Sequence, residues 1–76
     1  MGVSVEQSSD RLLTLLMEDA STTVSYIGEA PTGSSTSASV WRIKRLDTTS
    51  GVKLKFADGN TFFDNVWDNR ASLSYL

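Results

Sequence analysis

The residue types that carry out most protein chemistry are sparse in this 76-residue chain. It contains neither histidine nor cysteine, so imidazole bases, thiol nucleophiles, disulfides and the usual zinc ligands are absent from the sequence. The one catalytic spacing is Ser50-Gly51-Val52-Lys53, which matches a Ser-x-x-Lys motif. That motif lies across a predicted hairpin turn, and neither Ser-Asp-Asn nor Lys-Thr-Gly accompanies it. The sequence therefore predicts no enzyme, no catalytic residues, no cofactor and no small-molecule ligand.

Side chains with oxygen atoms are frequent between residues 58 and 69, where calcium is the metal to consider. Calcium takes about six to eight oxygen ligands, but the spacing matches no EF-hand loop, because the bidentate Glu is missing from its position. Asp and Asn are also ordinary turn formers. We therefore predict turns and no metal site, with a calcium site in the 58–69 loops as the alternative. The residues concerned are Asp58, Asn60, Asp64, Asp68 and Asn69.

Positive charge is concentrated in residues 40–56, which hold five of the seven Lys and Arg residues. A hairpin that pairs Asp47 with Val52 would place four of them on one face. Such a face suits an acidic partner or a phosphate backbone, but edge lysines also commonly prevent aggregation. The net charge of −2 argues against nucleic acid and anionic membranes. We favour a solvated edge, and a small nucleic-acid-binding or regulatory module is the alternative.

Large aromatic residues beside arginine are typical of interface hot spots. Trp41 shares a predicted strand face with Ile43, so we assign it to the core. Trp67 and Arg70 lie at a predicted turn and are interface candidates; with Tyr75, Trp67 would also suit a carbohydrate- or receptor-binding module. The complete set of candidate interface residues is Trp67, Arg70, Tyr75, Arg42, Lys44, Lys53 and Lys55.

The length allows one domain, and a domain of this size buries only about 60% of the surface that its unfolded chain exposes. Small domains are usually supplemented by disulfides, metals or oligomerisation, and the composition leaves the last. Residues 1–10 lack the apolar core of a signal peptide. The longest apolar stretch, residues 12–17, is far too short to span a bilayer. We expect a soluble protein that makes no membrane contact.

Apolar alternation between turn signals predicts a mainly β domain over residues 10–76, after a flexible arm at residues 1–9. Residues 10–20 fit either a short helix or a strand, and we favour the strand slightly. A strand over residues 22–27 should end at the Gly- and Pro-containing segment 28–33. The fold class is a small antiparallel sheet, sandwich or partly open barrel of five to six strands.

The clearest predicted hairpin joins residues 40–47 to residues 52–57. Asp58-Gly59 is the strongest turn signal, because a type I′ turn needs two residues that tolerate positive φ. Residues 60–67 follow as a strand, with a helical turn in residues 63–69 as the alternative. Alternating Ala71, Leu73 and Tyr75 predict a final strand.

Four segments carry a family resemblance: Tyr26-Ile27-Gly28-Glu29-Ala30, Val40-Trp41-Arg42-Ile43-Lys44-Arg45, Ala57-Asp58-Gly59-Asn60, and residues 63–73 from Phe63 to Leu73. With them the chain resembles small virion-associated proteins of tailed bacteriophages and prophages. The resemblance implies a non-catalytic virion component made in the bacterial host cytoplasm, and it transfers no functional residues. The expected partners are copies of the chain and other phage structural proteins, in a capsid-decoration or tail- or fibre-associated role.

Overall fold

The computed structural model describes residues 12–76, so the predicted arm at residues 1–9 lies outside the described residues. Five strands form an open antiparallel sheet in the order β1-β2-β3-β4, with β5 paired to β3. This confirms the mainly β fold class. The elements are β1 (Leu13–Asp19), β2 (Val24–Pro31), β3 (Ser39–Asp47), β4 (Lys53–Phe56), β5 (Asn65–Val66) and a 3₁₀ helix (Trp67–Ser72).

The leucine-rich segment near the N-terminus is a strand, as favoured over the helix. It pairs with β2 in a register that sets Leu16 opposite Gly28. Ser21 closes the intervening turn, because its Oγ accepts hydrogen bonds from the backbone N–H groups of Thr23 (3.2 Å) and Val24 (3.1 Å). The hydroxyl thus satisfies donors that the turn leaves without a ladder partner.

β2 ends at Pro31, within the predicted terminating segment 28–33, but it extends four residues past the predicted strand end at Ile27 and runs through Gly28. A Cβ atom added at Gly28 would lie 2.6 Å from Cζ3 of Trp67 and 3.2 Å from Cε3 of Trp41. Such a distance to Trp67 is shorter than real carbon contacts allow, so this glycine makes room for an indole ring. It is a packing residue and not a strand breaker.

The β3–β4 hairpin is confirmed, but its register differs by one residue from the predicted one. Asp47 pairs with Lys53 and not with Val52. The reason is local to the loop: Asp47 Oδ1 accepts a hydrogen bond from the Thr49 backbone N–H (2.9 Å), and Gly51 adopts a φ of +93°. These features add one residue to the connection, which exchanges the faces of β4.

The turn at Asp58-Gly59 has positive φ at both residues, +60° and +73°, as a type I′ turn requires. The predicted strand at residues 60–67 shrinks to Asn65–Val66, and a 3₁₀ helix replaces the beginning of the predicted last strand. Tyr75 keeps a single bridge to Ala57. Its hydroxyl donates to the backbone carbonyl of Arg70 (2.7 Å), which holds the chain end against the helix.

The core lies on one face of the sheet, beneath the C-terminal segment. Trp41 is 1% exposed, which confirms its assignment to the core, and its Nε1 donates to the Ser35 carbonyl (2.9 Å). The indoles of Trp41 and Trp67 pack with centroids 5.9 Å apart. Only this face of the sheet is covered within residues 12–76. The buried hydrophobic residues are Tyr26, Ala30, Trp41, Ile43, Ala57, Trp67 and Tyr75.

Candidate functional site

Both aromatic residues that were predicted to lie at an interface belong to the core. Trp67 is 6% exposed and Tyr75 is 7% exposed, so neither ring presents a surface to a partner, and their assignment is corrected. The physical reason is the size of the domain: with one sheet face to cover and few large side chains, the C-terminal segment folds its rings inward. Neither the interface prediction nor the carbohydrate alternative has an exposed aromatic platform at these positions.

Arg70 secures the 3₁₀ helix to β1. Its Nε donates to Glu18 Oε1 (2.8 Å), its Nη1 donates to the Trp67 carbonyl (3.1 Å), and its guanidinium lies 4.6 Å from the Trp67 ring centroid. The hydrogen bond from Arg70 lowers the pKa of Glu18 below its ordinary value. The same bond raises the pKa of Arg70. Both groups therefore stay charged near neutral pH, as suits a structural ion pair.

Tyr75 is likewise held in one protonation state. Burial, followed by the neighbouring Tyr26, raises the pKa of Tyr75 to about 12. General acid–base catalysis works best with a pKa near the operating pH. The shift moves Tyr75 away from that range, and its hydroxyl is already donated to the Arg70 carbonyl. Its role in the described structure is to close the core.

The four basic candidates do not share a face, because the register change separates them. Arg42 and Lys44 lie on the side of the sheet opposite the core. There Arg42 Nη2 lies 2.7 Å from Glu29 Oε1, and Lys44 Nζ lies 4.0 Å from the same oxygen. The Arg42 guanidinium also lies 4.8 Å from the Phe63 ring centroid. A partly neutralised, aromatic-flanked cluster replaces the predicted continuous basic face, and that prediction is corrected.

The other two basic candidates, Lys53 and Lys55, join Arg45 and Asp47 on the core side of the hairpin. Together these residues line a depression of about 130 Å³. Ligand pockets usually measure about 300–1,000 Å³, so the space suits a small ion or water and not a larger substrate. The Arg45 guanidinium lies 4.9 Å from the Tyr75 ring centroid, and its Nε is buried without a hydrogen-bond partner among residues 12–76.

The most unusual surface lies on β1 and was not among the predicted interface residues. Leu13 is 48% exposed, Leu15 59% and Met17 65%, while the intervening Thr14 and Leu16 are less exposed. A half-buried strand ordinarily turns its apolar side chains inward. Here they point away from the core, on the sheet side that we call the outer face. The outer face comprises Leu13, Leu15, Met17, Asp19, Ser25, Ile27, Glu29, Pro31, Arg42, Lys44, Leu46, Leu54 and Phe56.

Within residues 12–76 the same residues lie on a free sheet edge, since β1 is the first strand in the sheet order. The Leu12 carbonyl accepts from the Thr32 N–H (3.1 Å), and the Ala20 N–H donates to the Val24 carbonyl (2.9 Å). Even-numbered residues of β1 therefore direct their main-chain groups toward β2. In an antiparallel ladder the alternate residues direct theirs outward. The free groups are those of Leu13, Leu15, Met17 and Asp19.

The opposite edge of the sheet, formed by β4, differs from β1 in its length, its charge and its coverage by the following chain. β4 has only four residues, two of which are lysines, and lysine on a short edge strand discourages pairing. The chain beyond β4 is covered, because Ala57 bridges Tyr75 and the Asp58 N–H donates to the Ser74 carbonyl (2.7 Å). β1, with the sequence LTLLMED, contains no Lys, Arg or Pro. In the part of the chain that the structure describes, the open apolar edge is therefore that of β1, and the β4 edge is short, basic and followed by a covered segment.

Residues 12–76 also bear on metal binding and membrane insertion. Within them, no group of three or more Cys, Asp or Glu side chains could hold a metal ion. No helix in that part of the chain is long and apolar enough to cross a membrane. The Ser-x-x-Lys motif falls in the exposed β3–β4 loop and the start of β4, as predicted.

Comparison with known proteins adds no relative: no protein-family model, curated protein or solved structure matches this chain. The resemblance to phage virion proteins therefore stays an expectation from the sequence. The geometry of the sheet must carry the functional argument.

Proposed function

We propose that this chain is a non-enzymatic structural or accessory component of a tailed-phage virion, in a capsid-decoration or tail- or fibre-associated role. It acts by assembling with copies of itself and with other phage structural proteins in the virion, after synthesis in the bacterial host cytoplasm. The observation that carries the assembly function is β1, which combines exposed apolar side chains with main-chain groups that have no partner among residues 12–76. The sequence resemblance supports the phage setting.

The energetics favour a partner on this surface. Full burial of a Leu or Met side chain stabilises by about 1.5–3 kcal/mol. Leu15 and Met17 are more than half exposed, so each retains roughly 1 kcal/mol that association can recover. Exposed apolar surface of this kind marks interaction sites in soluble proteins. A 76-residue chain without cysteine has few other means of gaining stability.

Sedimentation with virion parts tests this function. Purified full-length protein is mixed with separated capsids and tails of the phage that encodes it, and each mixture is centrifuged through a density gradient. We expect saturable co-sedimentation with one of the two, and mass spectrometry of intact virions should detect the chain. Failure to bind either part, together with absence from the virions, would contradict the proposal. A protein of similar mass and charge serves as the control.

A nucleic-acid-binding or regulatory module has less support from the geometry. Its basic residues lie on two faces, and Glu29 pairs with Arg42. What favours it is the depression where Lys53 and Lys55 meet Arg45, with no ion pair to these three residues within residues 12–76. Salt-dependent binding to DNA or RNA that is lost in K53E/K55E would support this alternative over the structural role.

A further inference from the structure

We propose that β1 pairs antiparallel with β1 of a second copy of the chain, about a twofold axis at Leu16, so that two sheets become one. This inference rests on the proposed assembly function and specifies the first contact in it. It identifies an interface, Leu13–Asp19, and a partner, an identical strand.

The main-chain geometry permits this pairing without disturbing the fold. The outward groups belong to odd-numbered residues, so the two strands must bring odd positions opposite each other. With Leu16 on the axis, Leu15 faces Met17 of the second copy and Leu13 faces its Asp19. Every outward N–H and C=O group between Leu13 and Asp19 then has a partner. A register centred on Leu15 would leave Asp19 outside the paired segment of described residues.

The side chains are also self-complementary in this register. On the outer face, Leu13, Leu15 and Met17 of both copies join into one apolar strip across the axis. On the other face, Glu18 lies opposite Thr14 of the second copy, and its charge is already paired with Arg70. Like charges directly opposite each other would destabilise a strand pair, and this register places no two like charges opposite each other.

Pairing of β1 with β1 of a second copy fits this edge better than pairing of β1 with β4 of a second copy. Joining β1 to β4 of another copy is a head-to-tail contact, which forms rings or open filaments. β4 offers four residues, and the segment after it is covered by Tyr75. β1 paired with itself matches seven residues with seven and closes as a dimer.

The molecular mass of the full-length protein in solution, measured by sedimentation equilibrium from low micromolar to near-millimolar concentration, tests the pairing. The paired strands are about 24 Å long, and an interface of that length falls in the small, weak class. We therefore expect the mass to rise with concentration from the 8.3 kDa of one chain to a plateau at twice that value.

Two matched variants locate the contact. Leu15→Lys places a charge beside Met17 of the second copy and should weaken dimerisation at least about tenfold. Leu54→Lys makes the same chemical change at a similarly exposed position, 51% against 59%, on the outer face but on β4. It should leave dimerisation unchanged. Circular dichroism checks that both variants keep the wild-type fold.

Several results would overturn the inference: a monomer at every concentration, a mass that climbs past two chains without a plateau, or equal weakening by both variants. The last would indicate stacking of outer faces. The co-sedimentation experiment separates this failure from failure of the proposed function. A monomeric chain that still binds capsids or tails would refute only the β1 pairing, whereas a dimer that binds neither would refute the virion role.

Discussion

Replacing Gly28 with alanine should destabilise the domain, although alanine normally stabilises a strand relative to glycine. The added Cβ would lie 2.6 Å from Cζ3 of Trp67 and 3.2 Å from Cε3 of Trp41. Trp67 is 6% exposed and packs on the Trp41 ring, so its indole cannot move aside without opening the core. Either β2 or the 3₁₀ helix must shift.

The magnitude follows from two opposing effects. Overpacking a well-packed core costs about 1–3 kcal/mol. Reduced entropy of the unfolded chain contributes about 0.4–1 kcal/mol in the opposite direction. We expect a net loss of about 1–2 kcal/mol. A 76-residue domain has a total stability of about 4–11 kcal/mol, and the melting temperature of so small a domain falls about 4–8 °C per kcal/mol.

Urea unfolding followed by tryptophan fluorescence measures the loss, at one fixed protein concentration so that association does not vary. Trp67→Phe supplies the matched background, because phenylalanine lacks the outer ring atoms that the new Cβ would meet. Gly28→Ala should cost less in that background, giving a coupling energy between the two positions. Equal cost in both backgrounds, or a stabilising Gly28→Ala in the wild type, would refute the packing explanation.

Three further predictions concern the C-terminal segment and the loop after β3. The pKa of Tyr75 is raised to about 12 from an ordinary 10.0. The contribution of Tyr75 to the free energy of unfolding is therefore complete below pH 10 and is lost as pH rises through about 12. Stability should fall by on the order of 2 kcal/mol over that window, and Tyr75→Phe should remove this part of the decline in urea unfolding. Arg70 lowers the pKa of Glu18 in the folded protein. Glu18 therefore stabilises the fold above its pKa in the unfolded chain, and this stabilisation is lost as pH falls through its lower pKa in the folded protein. Glu18→Gln should therefore lower the melting temperature at pH 7 and have less effect at pH 2, and equal effects at both pH values would contradict the ion pair. Arg70→Gln also removes the hydrogen bond to the Trp67 carbonyl and the contact with the Trp67 ring, so it should lower the melting temperature more at pH 7 and keep part of its effect at pH 2. Because the Thr49 N–H lowers the pKa of Asp47, Asp47→Ala should weaken the β3–β4 loop and broaden its amide NMR signals, and unchanged signals would count against the proposed loop anchor.

Local requirements were predictable from the sequence. Asp58-Gly59 was correctly predicted as a turn with two positive φ angles, because that demand involves only the two residues. The strand at residues 13–19 was only slightly favoured over a helix, because the density of leucine suits a helix while the short length and the β-rich neighbourhood suit a strand. What alternation could not show is the direction of each face. Leu16 lies between Leu15 and Met17 and is as apolar as they are, so the pattern does not show which side of β1 faces the core. That side is decided by where Trp67 and Tyr75 pack.

The errors have tertiary or single-residue causes. The strand before segment 28–33 was predicted to stop at Ile27, and only the position of the Trp67 indole explains why a glycine is required within β2. Ala71, Leu73 and Tyr75 alternate as a strand would, yet burial of the Tyr75 ring and its bond to the Arg70 carbonyl favour a compact 3₁₀ turn. The hairpin register differs from the predicted one because the Thr49–Asp47 hydrogen bond and the positive φ of Gly51 lengthen the connection by one residue. This difference in register places the four basic residues of the predicted face on two opposite sides of the sheet.

The central claim is that β1 associates through its free main-chain edge, and amide hydrogen exchange reports on that edge most directly. NMR spectra of the full-length protein at low and high concentration would follow the amides of Leu13, Leu15, Met17 and Asp19, with those of β4 as an internal comparison. We predict that the β1 amides exchange freely in dilute solution and gain protection as the concentration rises, while the β4 edge does not change. Outward amides of β1 that exchange equally fast at every concentration would contradict the account.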